Sequence, residues 1–233
     1  MQAVFQPGGS EGPGSGTPRL QGSSAKACSP ACAGVSQLSV GPELWGVTID
    51  QLREIVFDPR YEAHMTTRDV VERIIKPDTA GTGTGYALLR NPAKPLQARI
   101  MVSHAWDDAF GEFVDALSSS GEQGPFWICA AAMYQAEDML ELTLEKQMGV
   151  QAGGPLVTIL GKTAAMVCVP SSTGNIYSRL WCLFEIFTAV QLGREVRVAT
   201  KHRRFQYEVL DDLFIRLCLE PVDSRGARCG VAG

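Results

Sequence analysis

Beyond Leu96, short runs dense in apolar residues alternate with segments of helical period, and this alternation constrains the fold more than any other feature. ARIMVSHA (98–105), FWICAAAM (126–133), AMVCVP (165–170) and EVRVAT (195–200) are the strand candidates, and such runs suit strands covered on both faces. Between the first two, DDAFGEFVDALSS places Phe110, Phe113, Val114 and Leu117 at helical spacing. EDMLELTLEKQMG reads as a helix with alternate charge, PLVTILGK as a brief one, and the stretch from Tyr177 as a long one. FQYEVLDDLFIRLCLE closes the series as an amphipathic helix. This order predicts an α/β sandwich with a mostly parallel central sheet. Ligands of such sheets sit beyond the carboxyl ends of the strands. The places to inspect are therefore Ser103-His104-Ala105-Trp106, the segment after Met133, and Pro170-Ser171-Ser172.

The part before Leu96 is of another kind. Residues 1–44 are rich in Gly, Ser, Pro and Ala without apolar periodicity, a composition expected of a disordered leader. Residues 45–95 are expected to hold short helices and a linker. WGVTIDQLREIVF puts Ile49, Leu52, Ile55 and Val56 on one face. MTTRDVVERIIK opens with Thr66 and Asp69 in a capping-box arrangement, and Pro77 is the expected stop. DTAGTGTGYALLRNPAKP reads as a Gly/Thr/Pro linker, because its glycines follow no strand and lack phosphate-loop spacing. GGPLVTILGKT ends like a nucleotide-binding loop, but Leu156 stands where that motif needs glycine.

Composition removes several classes. A net charge of −4 and one short basic cluster, Lys201-His202-Arg203-Arg204, argue against nucleic acid as a partner. No stretch approaches the roughly 18 consecutive apolar residues of a membrane span, and the amino terminus lacks the basic-then-apolar order of a secretory signal. Of seven cysteines, Cys129, Cys168 and Cys182 sit inside apolar runs as small hydrophobes. Cys28 and Cys32 lack further nearby ligands, so no metal site is expected. A reduced, cytoplasmic setting follows from this usage.

Between Arg179 and Arg194 the sequence carries a single charge, Glu185. A carboxylate within apolar surroundings is costly unless it is paired, hydrated or neutralised. Two readings are open: Glu185 faces solvent on a helix otherwise buried, or a ligand engages it. Trp181, four residues earlier and on the same helix face, is either core or one wall of a pocket. His104 either bonds locally at its strand end or meets a ligand. Asp107 and Asp108 either offset a helix dipole or bind. Cys182 with His104 makes a poor catalytic pair, because Cys182 lies between Trp181 and Leu183 rather than in an electropositive setting.

Taken together, ARIMVSHAWDDAFGEFVDAL and AMVCVPSSTGNIYSRLWCLFEIFTAV resemble the Toll/interleukin receptor (TIR) family. The resembling features are a first strand ending in Ser-His before acidic residues, and a third strand leading through a Ser-containing loop into a helix with Trp-Cys-x-x-Glu. GREVRV resembles the family's glycine turn into a fourth strand. The resemblance covers roughly residues 96–220 and leaves 221–233 as tail or linker. It departs from the family after the second strand and in having no evident fifth strand before Glu220. It implies a flavodoxin-like three-layer sandwich. It further implies, for the enzymatic branch, cleavage of NAD between nicotinamide and ribose, with Glu185 as the key carboxylate. Ser103, His104, Trp106, Asp107 and Trp181 would line the nucleotide site. NAD would be the substrate, with no bound cofactor. The other branch of the family implies a non-catalytic signalling module acting by homotypic self-association.

Overall fold

The computed structural model describes residues 36–148, 154–170 and 180–200, all within one compact unit. Four strands form an all-parallel sheet in the order β2-β1-β3-β4: β1 is Ile100–His104, β2 Phe126–Ile128, β3 Ala165–Val169 and β4 Glu195–Val198. This is a flavodoxin-like α/β arrangement. The chain steps from β1 outward to β2, then back across β1 to β3 and on to β4. Right-handed crossovers therefore place the helix after β1 on one face and those before and after β3 on the other.

The first face is covered by α5 (Phe110–Ser119), with α1 (Ile49–Val56) packed against it. Ile100 and Val102 of β1, Phe126 and Ile128 of β2, and Val167 and Val169 of β3 share one apolar cluster with Leu52, Ile55, Phe110, Phe113 and Leu117. The second face is covered by α8 (Gly154–Lys162) and α9 (Leu180–Gln191). There Met101, Trp127, Met166, Cys168 and Val198 pack with Leu156, Ile159, Leu160, Cys182 and Ile186. Odd and even strand positions divide cleanly between the two clusters, as the period of two requires.

Residues 36–99 are part of this body, which corrects the expected linker and the last stretch of the expected leader; residues 1–35 of that leader lie outside the described residues. Gln37 is buried, and its amide donates to the Ala132 carbonyl at 2.9 Å while its carbonyl accepts from Gly85 N–H at 2.8 Å. Residues 36–44 are therefore held in part by polar bonds to backbone, which leave no apolar periodicity to read. Val47 exchanges two backbone hydrogen bonds with Phe126. Within the expected linker, α4 (Tyr86–Arg90) buries Tyr86, Ala87 and Leu88. Gly85 lets that helix approach the chain: a Cβ there would lie 2.4 Å from the Ala132 carbonyl oxygen.

Other boundaries also shift. α1 carries a full capping box from Thr48 and Gln51, and α2 (Thr67–Val70) one from Thr66 and Asp69, each worth about 1 kcal/mol. Pro77 does not stop the helix begun by α2. A wide π-turn over Val71–Ile75, closed by Lys76 N–H to Val71 carbonyl, re-registers the backbone so that Pro77 falls in the first turn of α3 (Lys76–Thr79). The second strand is only three residues long because Cys129–Ala132 turns into α6, where three consecutive alanines favour helix. EDMLELTLEKQMG divides into a short 3-10 turn at Leu140–Leu142 and α7 (Leu144–Met148). Gly161 and Lys162 of the rejected nucleotide loop lie in the last turn of α8. Cys28, Cys32, the 201–204 basic cluster and the closing amphipathic segment fall outside the described residues. Among the described residues no helix is long and apolar enough to cross a membrane.

Candidate functional site

The order β2-β1-β3-β4 creates a topological switch between β1 and β3, because connections leave those two strands in opposite directions. At that point Ser103 of β1 pairs with Cys168 of β3 in the penultimate rungs of the ladder. Ser103 follows Met101 on the α9 side of the sheet, and its hydroxyl donates to Oε2 of Glu185 at 2.5 Å. The distance lies in the range of charge-assisted O–H···O⁻ bonds. Glu185 is only 3% exposed.

This decides between the two readings of the lone carboxylate as far as solvent goes. Glu185 points into the molecule, between α9 and the end of β1. Desolvating an ionised carboxylate costs several kcal/mol, and each hydrogen bond to a charged group returns about 1.5–3 kcal/mol. An apolar side chain would spare the desolvation, so stability alone does not account for Glu185. Buried beside it, the Cys168 thiol is pushed well above its ordinary range, first by desolvation and then by the Glu185 charge. Cys168 is thus held as a neutral thiol rather than a nucleophile. Cys182 donates through Sγ to the His104 carbonyl at 3.7 Å. Cys182 and Glu185 are three residues apart and share the helix face turned to β1.

The expected site residues divide between the two faces. Ser103 and Glu185 come together. Trp181 is half-buried on α9, and its ring leans against Phe184 at 5.8 Å between centroids. His104 lies apart from Ser103. As the next residue along β1, its side chain goes to the α5 face, where the ring stacks on Phe113 at 4.1 Å and shares a 3.1 Å hydrogen bond with Thr67. Strand alternation separates it from Ser103. Trp106 also packs against the α5-side cluster, and its carbonyl accepts from Arg68 N–H. Asp107 pairs with Arg68 at 3.0 Å on the surface. These three tie the end of β1 to α2, and the Glu185 site is built from the other side of the strand. The contributions sequence reasoning missed are the buried Cys168 thiol and the Cys182 anchor. Their only sequence signal is that Cys168 sits at a strand end and Cys182 three residues before Glu185.

Pro170 follows β3, and Ser171-Ser172 lie outside the described residues. Among the described residues no group of three or more His, Cys, Asp or Glu is arranged to hold a metal ion. Comparison with protein-family models, curated proteins and solved structures returns no match for this chain.

Proposed function

We propose that this chain is a TIR-like cytoplasmic domain that hydrolyses the nicotinamide–ribose bond of NAD, with Glu185 as its central carboxylate. One observation carries the reading: a carboxylate is kept buried at the carboxyl ends of β1 and β3, held by Ser103, where doubly wound sheets bind nucleotides. In this reaction the C1′–N bond breaks with both electrons leaving on the nicotinamide nitrogen, and positive charge develops on the ribose. Water adds its oxygen at C1′ and releases a proton, giving ADP-ribose and nicotinamide. A carboxylate at that place stabilises the developing charge. Nicotinamide leaves neutral, so the reaction needs no strong general acid. The half-buried Trp181 offers an aromatic surface on the same flank of α9 for the nucleoside.

A second reading rests on the opposite side of the same helix. Leu180, Phe184, Phe187 and Val190 are exposed, a stripe at helical spacing that a solvated helix would fill with charge. That stripe favours self-association and a signalling module that acts by assembly.

Nicotinamide release from NAD by the full chain, concentrated and induced to self-associate, separates the readings when run beside a folded Glu185→Gln variant. Turnover confined to the parent upholds the glycohydrolase. Assembly without turnover or NAD binding leaves the module. Equal turnover in both rejects Glu185 as its centre.

A further inference from the structure

We infer that Ser103 is a positioning residue that fixes the orientation of the Glu185 carboxylate, an inference that rests on the glycohydrolase reading. Ser103 is a rigid post: it lies in β1, paired in register with Cys168 of β3, and is buried. Its hydroxyl engages Oε2 of Glu185 at 2.5 Å. The backbone carbonyl of the next residue, His104, accepts from the Cys182 thiol at 3.7 Å. Cys182 and Glu185 lie on one face of α9, so β1 holds the helix at two points, one through a side chain and one through backbone. The Cys182 contact adds to the apolar packing that seats α9 on the sheet, and the Ser103 contact holds Oε2 of Glu185 within it. With one oxygen pinned, the direction of the other is fixed as well.

The chemistry makes that constraint matter. A carboxylate that stabilises an oxocarbenium-like ribose must be ionised and already aimed when charge develops. A hydroxyl that donates to it favours the ionised form. Without Ser103 the carboxylate keeps its burial but loses the hydroxyl that holds its Oε2 and favours its charge. Ser103 thereby acts through Glu185, without contact to the substrate being required.

The test uses the full chain with Ser103→Ala and Ser103→Thr. Ser103→Ala is expected to lower kcat about 10- to 100-fold with KM little changed, as misaiming a reacting group does. It should also move the acidic limb of the kcat pH profile upward, and Ser103→Thr, which keeps the hydroxyl, should restore both. A readout independent of turnover is the titration of the Glu185 side-chain carboxyl carbon by NMR, assigned through Glu185→Gln. Its midpoint should rise in Ser103→Ala and return in Ser103→Thr. An unmoved midpoint in folded Ser103→Ala overturns the inference whatever the activity, as does an unchanged kcat in an active parent. A parent without NAD cleavage but with the midpoint shift removes the glycohydrolase reading and leaves the hold of Ser103 on Glu185 standing. Should Ser103→Ala fail to fold, Ser103→Cys keeps the size, weakens the donor and is read the same way.

Discussion

The two faces of the sheet are lined alike and finished differently. On the α5 face the apolar strand residues meet Phe110, Phe113 and Leu117, and behind α5 comes a further layer from α1, with buried Leu52 and Ile55. Even its one strand-end histidine is closed in, stacked on Phe113. On the other face α9 is inverted: its only charged residue, Glu185, is turned inward, while Phe187, 58% exposed, and its neighbours face out. A helix that needed only to cover a sheet would place them the other way round. The α5 face is built for stability, and the α9 face departs from that pattern on both its inner and outer sides. Such departures mark functional surfaces more often than defects.

The largest effect expected from this contrast is on the α5 face. Phe113→Ala removes a buried ring in contact with His104 and Phe110, and should cost about 3–5 kcal/mol of unfolding free energy. Urea unfolding measures it. A loss below about 1 kcal/mol would mean that this face is not the sealed side, and the comparison would collapse.

Phe187→Ser probes the outward side of α9, where little stability is at stake. Unfolding free energy should stay within about 0.5 kcal/mol of the parent, while concentration-dependent assembly, followed by light scattering, should weaken. A destabilisation near that of Phe113→Ala would show the stripe to be covered within the monomer. Unchanged assembly would remove the stripe as the self-association surface and with it the main support for the module reading.

How much of this was legible beforehand follows the same division. β1, β2 and β3 could be read because burial on both sides leaves apolar runs, and helical spacing marked Phe110, Phe113, Val114 and Leu117 of α5, all of which proved buried. Glu185 stood out as a lone charge, but the sequence could not say which way it faced, since solvent and core were equally compatible with one carboxylate in an apolar helix. Its partner was nameable only because Ser103 ended a strand. His104 and Ser103 part for a simple reason: neighbours on a strand point to opposite faces, so the Ser-His pair sends its two side chains to different sides of the sheet. The helices of residues 45–75 showed their apolar faces, but the packing of Gln37, Val47 and Gly85 was hidden because it runs through hydrogen bonds to backbone, which leave no apolar pattern.

The smallest effect sharpens the comparison at the rim of the α5 side. Arg60 bridges two acids there, donating to Asp58 at 2.7 Å through Nη2 and to Asp78 at 2.7 Å through Nη1. The hydrogen bonds from the Arg60 side chain hold the Asp58 carboxyl down at about 2. A carboxyl depressed on folding adds stability above its unfolded value, near 3.9, and that contribution is lost as pH falls through about 2. Arg60 is 41% exposed, so solvent screening limits the contribution to no more than about 1 kcal/mol. Asp58→Asn should therefore be slightly less stable than the parent at pH 6. The gap should narrow between about pH 4 and pH 2 and shrink with added salt. Urea unfolding of both proteins across that range is the measurement. A gap that persists at pH 2 would assign the loss to the turn around Asp58, whose carboxylate also accepts from Arg60 N–H at 2.8 Å, rather than to its charge. Rim ion pairs of this size trim the sealed face without building it; its stability comes from the rings beneath them.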